Sequence, residues 1–78
     1  MAITAANLVP RGMNPYQASA LVTEFAGTVD AEKLIRTGFS VPLANEIAAQ
    51  KNGAAFVVPK LMALGMPPIL AQYIADNG

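Results

Sequence analysis

Apolar residues recur at helical spacing in two stretches of the chain. In the first they stand at positions i, i+3, i+4 and i+7, at Ala18, Leu21, Val22 and Phe25. In the second they stand at Leu43, Ala44, Ile47 and Ala48. This spacing collects apolar side chains on one side of an α-helix. The pattern predicts two amphipathic helices, the first ending near Gly27 and the second near Asn52.

A short motif precedes each of these stretches and occurs a third time near the end of the sequence. It consists of Leu, three further residues, Gly, and then Met or Phe, and its glycines are 26 and 27 residues apart (38 − 12 and 65 − 38). The glycine and the residue that follows it are Gly12 and Met13 in the first copy, Gly38 and Phe39 in the second, and Gly65 and Met66 in the third. An Ala follows six residues after each glycine. The sequence is therefore interpreted as three repeat units, at about 8–27, 34–53 and 61–78.

The spacing of the motif is that of a Schellman helix end. If each glycine is the left-handed residue that ends a short helix, the Leu lies at C3 and the Met or Phe at C″, the two positions whose side chains pack together. Asn14 and Ser40 follow in the first two units, and both are good N-cap residues, while Asp30 or Thr28 can cap the short helix before Gly38. Each unit is predicted to be a helix end followed at once by a helix start.

These units predict an all-α protein, a small bundle of short helices built from three helix-corner repeats. Pro10 stands inside the first short helix, where it removes a hydrogen bond, so residues 1–11 are predicted to form an irregular N-terminal arm beside a single helical domain at 12–78. Residues 54–58 are apolar without helical phase. This connector is compatible with an extended segment and with the start of a longer helix.

The composition of the chain indicates that it needs contacts with other protein subunits. A domain of 78 residues buries only about 60 to 65% of the surface of its unfolded chain, yet 54% of the residues are hydrophobic, 13% are charged and the net charge is zero. No Cys or His is present to supply a disulfide or a zinc site. We therefore expect an oligomer or a chain docked in a larger assembly. The candidate partner interface consists of apolar residues of the arm and the connector: Ile3, Leu8, Val9, Phe56, Val57 and Val58.

Several function classes are not expected. The five basic residues are scattered among five acidic ones, so there is no basic patch for nucleic acid and no cationic excess for a membrane-active peptide. The apolar stretches are far shorter than the roughly 20 residues of a membrane span. Without His or Cys, the isolated carboxylates, hydroxyls and lysines suggest no catalytic, metal or cofactor site. The chain is expected not to be an enzyme.

Two resemblances add to this interpretation. The segment 34–47, with Thr37, Gly38 and Phe39, resembles the first loop of ubiquitin-associated (UBA) domains, which implies a helical peptide-binding or protein-binding module. The opening residues 1–7 and the unit at 61–71 are similar to segments of small structural proteins of tailed bacteriophages. That similarity implies a non-enzymatic decoration, cement or head-fibre subunit of the virion that docks on the capsid or a neighbouring virion protein after assembly in the host cytoplasm. A chain that is not viral would be expected in the cytoplasm.

Overall fold

Helices account for all the regular structure in the computed structural model, which describes residues 2–53 and 55–78. Three short helical segments alternate with three longer helices, and the described residues contain no strand. The elements are α1 (Ala5–Leu8), which runs into a 3-10 turn (Val9–Arg11), α2 (Pro15–Phe25), α3 (Ala31–Ile35), α4 (Val41–Asn52), α5 (Val58–Ala63) and α6 (Pro68–Asn77). The prediction of an all-α bundle of short helices is confirmed.

The three glycine corners have the predicted geometry. Gly12, Gly38 and Gly65 have φ of 112°, 110° and 107°, and no other described residue has positive φ. The N–H of the residue after each glycine donates to the carbonyl of the Leu at C3, and the glycine N–H donates to the next carbonyl along the chain. The first set of bonds joins Met13 to Leu8 at 3.2 Å, Phe39 to Leu34 at 3.3 Å and Met66 to Leu61 at 3.1 Å. All three corners are therefore Schellman motifs.

Polar side chains cap the N-termini of the helices that follow the first two corners. The Asn14 side chain accepts a hydrogen bond from the N–H of Tyr16, and the Ser40 hydroxyl accepts one from the N–H of Leu43. The Asp30 carboxylate accepts from the N–H of Glu32 at the start of α3. These bonds satisfy donors that the first turn of a helix leaves free. They confirm Asn14, Ser40 and Asp30 as N-caps.

One apolar core is shared by all three units. The Leu of each corner motif is fully buried, and so are the Ala and the aliphatic residue that follow each glycine. These nine residues are Leu8, Ala18, Leu21, Leu34, Ala44, Ile47, Leu61, Ala71 and Ile74, each 0% exposed. The corner residues Met13, Phe39 and Met66 join the same cluster. Because each unit contributes only one small face, no unit has a core of its own.

The irregular arm predicted for residues 1–11 differs from the structure. Residues 5–11 form α1 and the 3-10 turn, and both Ile3 and Leu8 are buried in the shared core. The α-helix gives way to the tighter turn at Val9, and no hydrogen bond of that turn requires an N–H from Pro10. Pro10 therefore does not prevent the first unit from forming its short helix.

Side chains of the long helices close the three units into a ring. The N-cap residue of each short helix donates its backbone N–H to a side chain of a long helix. Glu24 Oε1 of α2 accepts from Asp30 N at 2.9 Å, and Gln50 Oε1 of α4 accepts from Val57 N at 2.9 Å. Tyr73 of α6 completes the set, because its hydroxyl accepts from Thr4 N at 3.3 Å. The third unit is thereby joined to the first, and the molecule measures 25 × 23 × 23 Å.

The connector between the second and third units is not helical where it is described. Val57 has φ −123° and ψ 97°, and α5 begins only at Val58. The Gln50 side chain binds both backbone polar groups of Val57. Its Oε1 accepts from the Val57 N–H, and its Nε2 donates to the Val57 carbonyl at 3.3 Å. Ala54 lies outside the described residues. Of the two alternatives for the connector, residues 55–57 adopt the non-helical one.

Gly65→Ala should lower the free energy of unfolding by about 1 to 2 kcal/mol, the cost of a left-handed conformation for a residue with a Cβ. A Cβ at Gly65 would meet nothing within 4 Å, so the effect would come from the backbone alone. Gly27→Ala is the matched control, because a Cβ there also meets nothing and its φ is not positive. Urea unfolding of both variants checks this, and equal stabilities would contradict the role assigned to the corner.

Gln50→Leu should lower the free energy of unfolding by about 1 to 3 kcal/mol. It leaves the N–H and the carbonyl of Val57 without their hydrogen-bond partner in a partly buried place. Gln72→Leu is the control, since Gln72 is exposed and bonds only to Asp76; it should change stability by less than about 0.5 kcal/mol. Thermal unfolding followed by circular dichroism gives both values. A Gln50→Leu variant as stable as the parent chain would show that the connector does not depend on this bond.

Candidate interaction surface

Two of the six residues expected to form a partner interface are unavailable to a partner. Ile3 is 4% exposed and Leu8 is 0% exposed, because α1 packs into the shared core. The expectation that they form a docking surface is wrong for these two residues. It followed from the interpretation of residues 1–11 as an arm that makes no contacts of its own.

The other four residues are divided between core and surface. Phe56 and Val58 are partly buried, and the Phe56 ring stacks on that of Phe25 with centroids 5.9 Å apart. Val9 and Val57 are exposed, by 38% and 41%. Exposure in the connector is thus limited to one large apolar side chain.

The three corners meet at one pole of the molecule. They surround a depression of about 170 Å³ that is lined by all three corner glycines and by the buried side chains of Met13, Phe39 and Met66. A Cβ built on Gly12 would lie 3.6 Å from Pro67 Cγ of the third corner, and one on Gly38 would lie 3.1 Å from Gln17 Nε2 of the first. The sequence repeat thus corresponds to a single surface.

Most of the large apolar side chains that are exposed are close in sequence to a corner glycine. Among residues 2–53 and 55–78, seven large apolar side chains are exposed, and six of them lie within four residues of a corner glycine. They are Val9, Tyr16, Val41, Met62, Leu64 and Ile69. We call these six residues, with the three corner glycines, the corner face. Three of them lie in the first turns of α2, α4 and α6, where side chains lean toward the N-terminus and so toward this pole.

The corner face carries no formal charge among the residues that line its depression. Charged side chains lie beside one residue of the face, because Ile69 shares a third depression of about 300 Å³ with Arg11 and Asp76. Arg11 donates to the carbonyl of Asn7 and lies over the ring of Tyr73, while Arg36 pairs with Glu32 one turn earlier on the same helix. Motif positions named in the sequence analysis supplied the centre of this face. The sequence analysis did not identify the exposed apolar residues of the face. The signal available for them was a bulky apolar residue three or four positions after each glycine.

The C-terminal ends of the long helices meet at the opposite pole. Phe25, Ala26, Lys51 and Asn77 line a second depression there, of about 350 Å³. Lys51 Nζ lies 5.4 Å from the centroid of the Phe25 ring and donates to the Gly78 carbonyl at 2.9 Å. This depression brings together one ammonium group and apolar walls, with no nucleophile or acid–base pair.

Tyr73 is the centre of the one polar cluster that joins the first and last units. Its hydroxyl accepts hydrogen bonds from Thr4 N and from Asn7 Nδ2, and the Arg11 guanidinium lies 4.5 Å from the ring centroid. Desolvation raises the pKa of Tyr73, but the hydrogen bonds from Asn7 and Thr4 and the charge of Arg11 together lower it by more, so the net pKa is below the usual value. The cluster thus joins the third unit to the first and closes the ring.

Other kinds of site find no support in the described part of the chain. Residues 2–53 and 55–78 contain no group of three or more Asp, Glu, His or Cys side chains placed to hold a metal ion. None of the described helices has the length and apolar character needed to cross a membrane.

The chain matches no protein-family model, no curated protein and no solved structure. The resemblances to phage structural proteins and to UBA domains therefore stay predictions. In the segment that resembles a UBA loop, the Phe39 side chain is 7% exposed and belongs to the core. A partner would reach the backbone of Gly38 and the rim of the corner face before it reached this ring.

A Tyr16→Phe variant should show a phenol that ionises below the ordinary tyrosine pKa of about 10. Tyr73 is its only tyrosine, and the hydrogen bonds it accepts favour the phenolate. Since the pKa is lower in the folded state than in the unfolded chain, this group contributes stability above pH 10 that is lost as the pH falls through the folded pKa. Phenolate absorbance gives the midpoint, with the denatured chain as reference. A titration midpoint in the folded chain at or above that of the denatured chain would contradict the hydrogen bonds assigned to the Tyr73 hydroxyl.

Proposed function

We propose that this chain is a non-enzymatic structural subunit that works by docking onto other protein subunits, either further copies of itself or a capsid protein. The observation that carries the proposal is the corner face. Six of the seven large apolar side chains that are exposed in the described part of the chain lie within four residues of a corner glycine, and the depression between those glycines is lined by uncharged residues. Scattered single apolar residues need no explanation on a protein surface, whereas a group of them at one place is typical of an interaction site.

The rigidity of the corner face supports the same proposal. Its centre consists of three Schellman corners whose backbone is held by hydrogen bonds and whose Met and Phe side chains are buried. A surface that is ordered before binding loses little conformational freedom when a partner covers it. Such a face suits a permanent contact in an assembly.

The particular assembly that we propose is the virion of a tailed bacteriophage, with the chain as a decoration, cement or head-fibre subunit. The similarity of residues 1–7 and 61–71 to phage structural proteins supports this part. The small size and the zero net charge are compatible with a subunit that is covered by neighbours. The chain would then reside in the virion, and in the cytoplasm if it is not viral.

Tyr16→Glu combined with Val41→Glu should remove the chain from its particle. Both side chains belong to the corner face, and a carboxylate there would have to be buried against a partner. Both positions lie in first turns, where the helix dipole favours a negative charge, so folding should not suffer. The measurement is the amount of chain that co-sediments with purified particles from the genome that encodes it.

The control is Thr23→Glu combined with Ala49→Glu, which adds the same charge at exposed positions toward the C-terminal ends of α2 and α4. It should co-sediment like the parent chain. Absence of the parent chain from the particles would overturn the virion role. Equal occupancy of particles by the corner variant and the control, with helicity unchanged in both, would overturn docking through the corner face.

A further inference from the structure

We infer that the first unit of this chain can exchange between two copies, so that α1, the 3-10 turn and α2 of each copy complete the ring of the other. The inference goes beyond the proposed function, because it concerns the contacts that close the ring and not the corner face. The partner is identified by contacts that the structure already contains, since each copy would receive the same unit that it gives.

The first unit fills a place in the core that the other two units leave open. Leu8, Ala18 and Leu21 of this unit are three of the nine fully buried side chains, and they belong to the one apolar cluster that all three units share. A ring without its first unit would expose the apolar faces of the other two units. The surface that covers these faces in the structure is that of a first unit, and a second copy carries the same surface.

Polar contacts at the joint between the third and first units identify the same occupant. The Tyr73 hydroxyl accepts hydrogen bonds from Thr4 N at 3.3 Å and from Asn7 Nδ2 at 3.2 Å, and the Arg11 guanidinium lies 4.5 Å from the ring centroid. The two hydrogen bonds join residues 69 and 66 positions apart, so no short stretch of chain requires both partners to come from one copy. The first unit of a second copy presents the same three groups to Tyr73.

The segment between α2 and α3 can serve as the hinge, and we call residues 26–28 the hinge segment. Its three residues are exposed, and a Cβ built on Gly27 would meet nothing within 4 Å, so no neighbouring side chain fixes its path. The chain is anchored directly after it, because the Asn52 side chain binds the N–H and the carbonyl of Val29 at 2.8 and 3.0 Å. A change of backbone direction within the hinge segment therefore leaves the first and second units intact.

The other junctions between helices are held more firmly. At each corner the glycine and the residue after it donate hydrogen bonds back to the short helix, and the Met or Phe is buried. In the connector, Gln50 binds both backbone polar groups of Val57, and the Phe56 ring stacks on that of Phe25. Each unit thus keeps its corner, and opening the ring at the hinge segment releases the first unit as one body.

The closed monomer and the exchanged dimer have the same core contacts, so their balance depends on the hinge segment and on concentration. Within one chain, a short flexible tether gives the first unit an effective concentration on the order of a millimolar. Closed monomers should therefore predominate at micromolar concentration, and exchanged dimers should form when the chain refolds at about that millimolar concentration. A tether that is too short to span the closed ring should leave the dimer as the only complete ring.

The molecular mass of refolded chains tests the role of the hinge segment. The parent chain refolded from urea at micromolar concentration should have a mass of 8.1 kDa, and a fraction of twice that mass should appear as the concentration during refolding rises to millimolar. Deletion of Gly27 and Thr28 should give the dimer already at micromolar concentration. Insertion of Gly-Ser-Gly-Ser after Thr28 should give the monomer. A shortened chain that is helical and monomeric would contradict the inference.

Mixing two variants, each with one damaged unit, detects the exchange itself. Leu21→Asp places a carboxylate in the core face of the first unit, and Ile47→Asp does so in the second; both parent side chains are fully buried. The Ile47→Asp chain keeps an intact first unit, and the Leu21→Asp chain keeps the two units that this first unit would complete. When the two variants refold together at millimolar concentration, helicity should recover about half of the difference between the separate variants and the parent chain, because one of the two exchanged rings is undamaged.

The control mixture contains Leu21→Asp and a chain that carries both substitutions, so it offers no intact first unit and should show no recovery. The exchange is refuted if the first mixture shows no recovery, or if the control recovers equally. Co-sedimentation with particles reports separately on the proposed function. A parent chain that exchanges but is absent from particles would refute the virion role alone, and a chain that binds particles without exchanging would refute the exchange alone.

Discussion

The left-handed glycine at the end of each short helix is the constraint on which the rest of this structure depends. Its positive φ lets the chain end one helix and start the next three residues after the glycine, while the carbonyls at the helix end remain hydrogen-bonded. The corner also buries the Leu before the glycine and the Met or Phe after it. Backbone conformation, hydrogen bonding and core packing are therefore specified at the same four or five residues, three times in one chain.

Closure into a ring explains how so short a chain forms a core without any cysteine to form a disulfide. Each unit has one small apolar face, and three such faces meet around the nine fully buried residues. The side chains that join the units differ, a Glu, a Gln and a Tyr, yet each accepts a hydrogen bond from the same kind of backbone N–H at the start of a short helix. The equivalence of the units thus lies in the backbone group that is satisfied rather than in the residue that satisfies it.

The same arrangement has a consequence for function. When the three corners meet at one pole, they bring together short-helix ends and long-helix starts, and with them the bulky residues that stand beside each glycine. Those residues cannot all point inward, because each helix has only one face toward the core. Tyr16, Val41 and Ile69 are therefore left on the surface at the starts of α2, α4 and α6. An apolar face of this kind is a by-product of the corner geometry that protein contacts can use.

Local chemistry in the sequence was sufficient to predict the corners, their caps and the buried stripe of each helix, because a Schellman motif and an N-cap involve residues less than six positions apart. The fate of residues 1–11 was predicted wrongly, since Pro10 affects one local hydrogen bond, whereas the burial of Ile3 and Leu8 comes from contacts with the rest of the chain. The ring closure through Tyr73 joins residues 69 positions apart, and no short-range pattern encodes it. The sequence by itself determined the three corners and the helix starts that follow them. Only the tertiary structure decided that the three corners share one pole and which apolar side chains remain exposed there, because that depends on how the three units pack against one another.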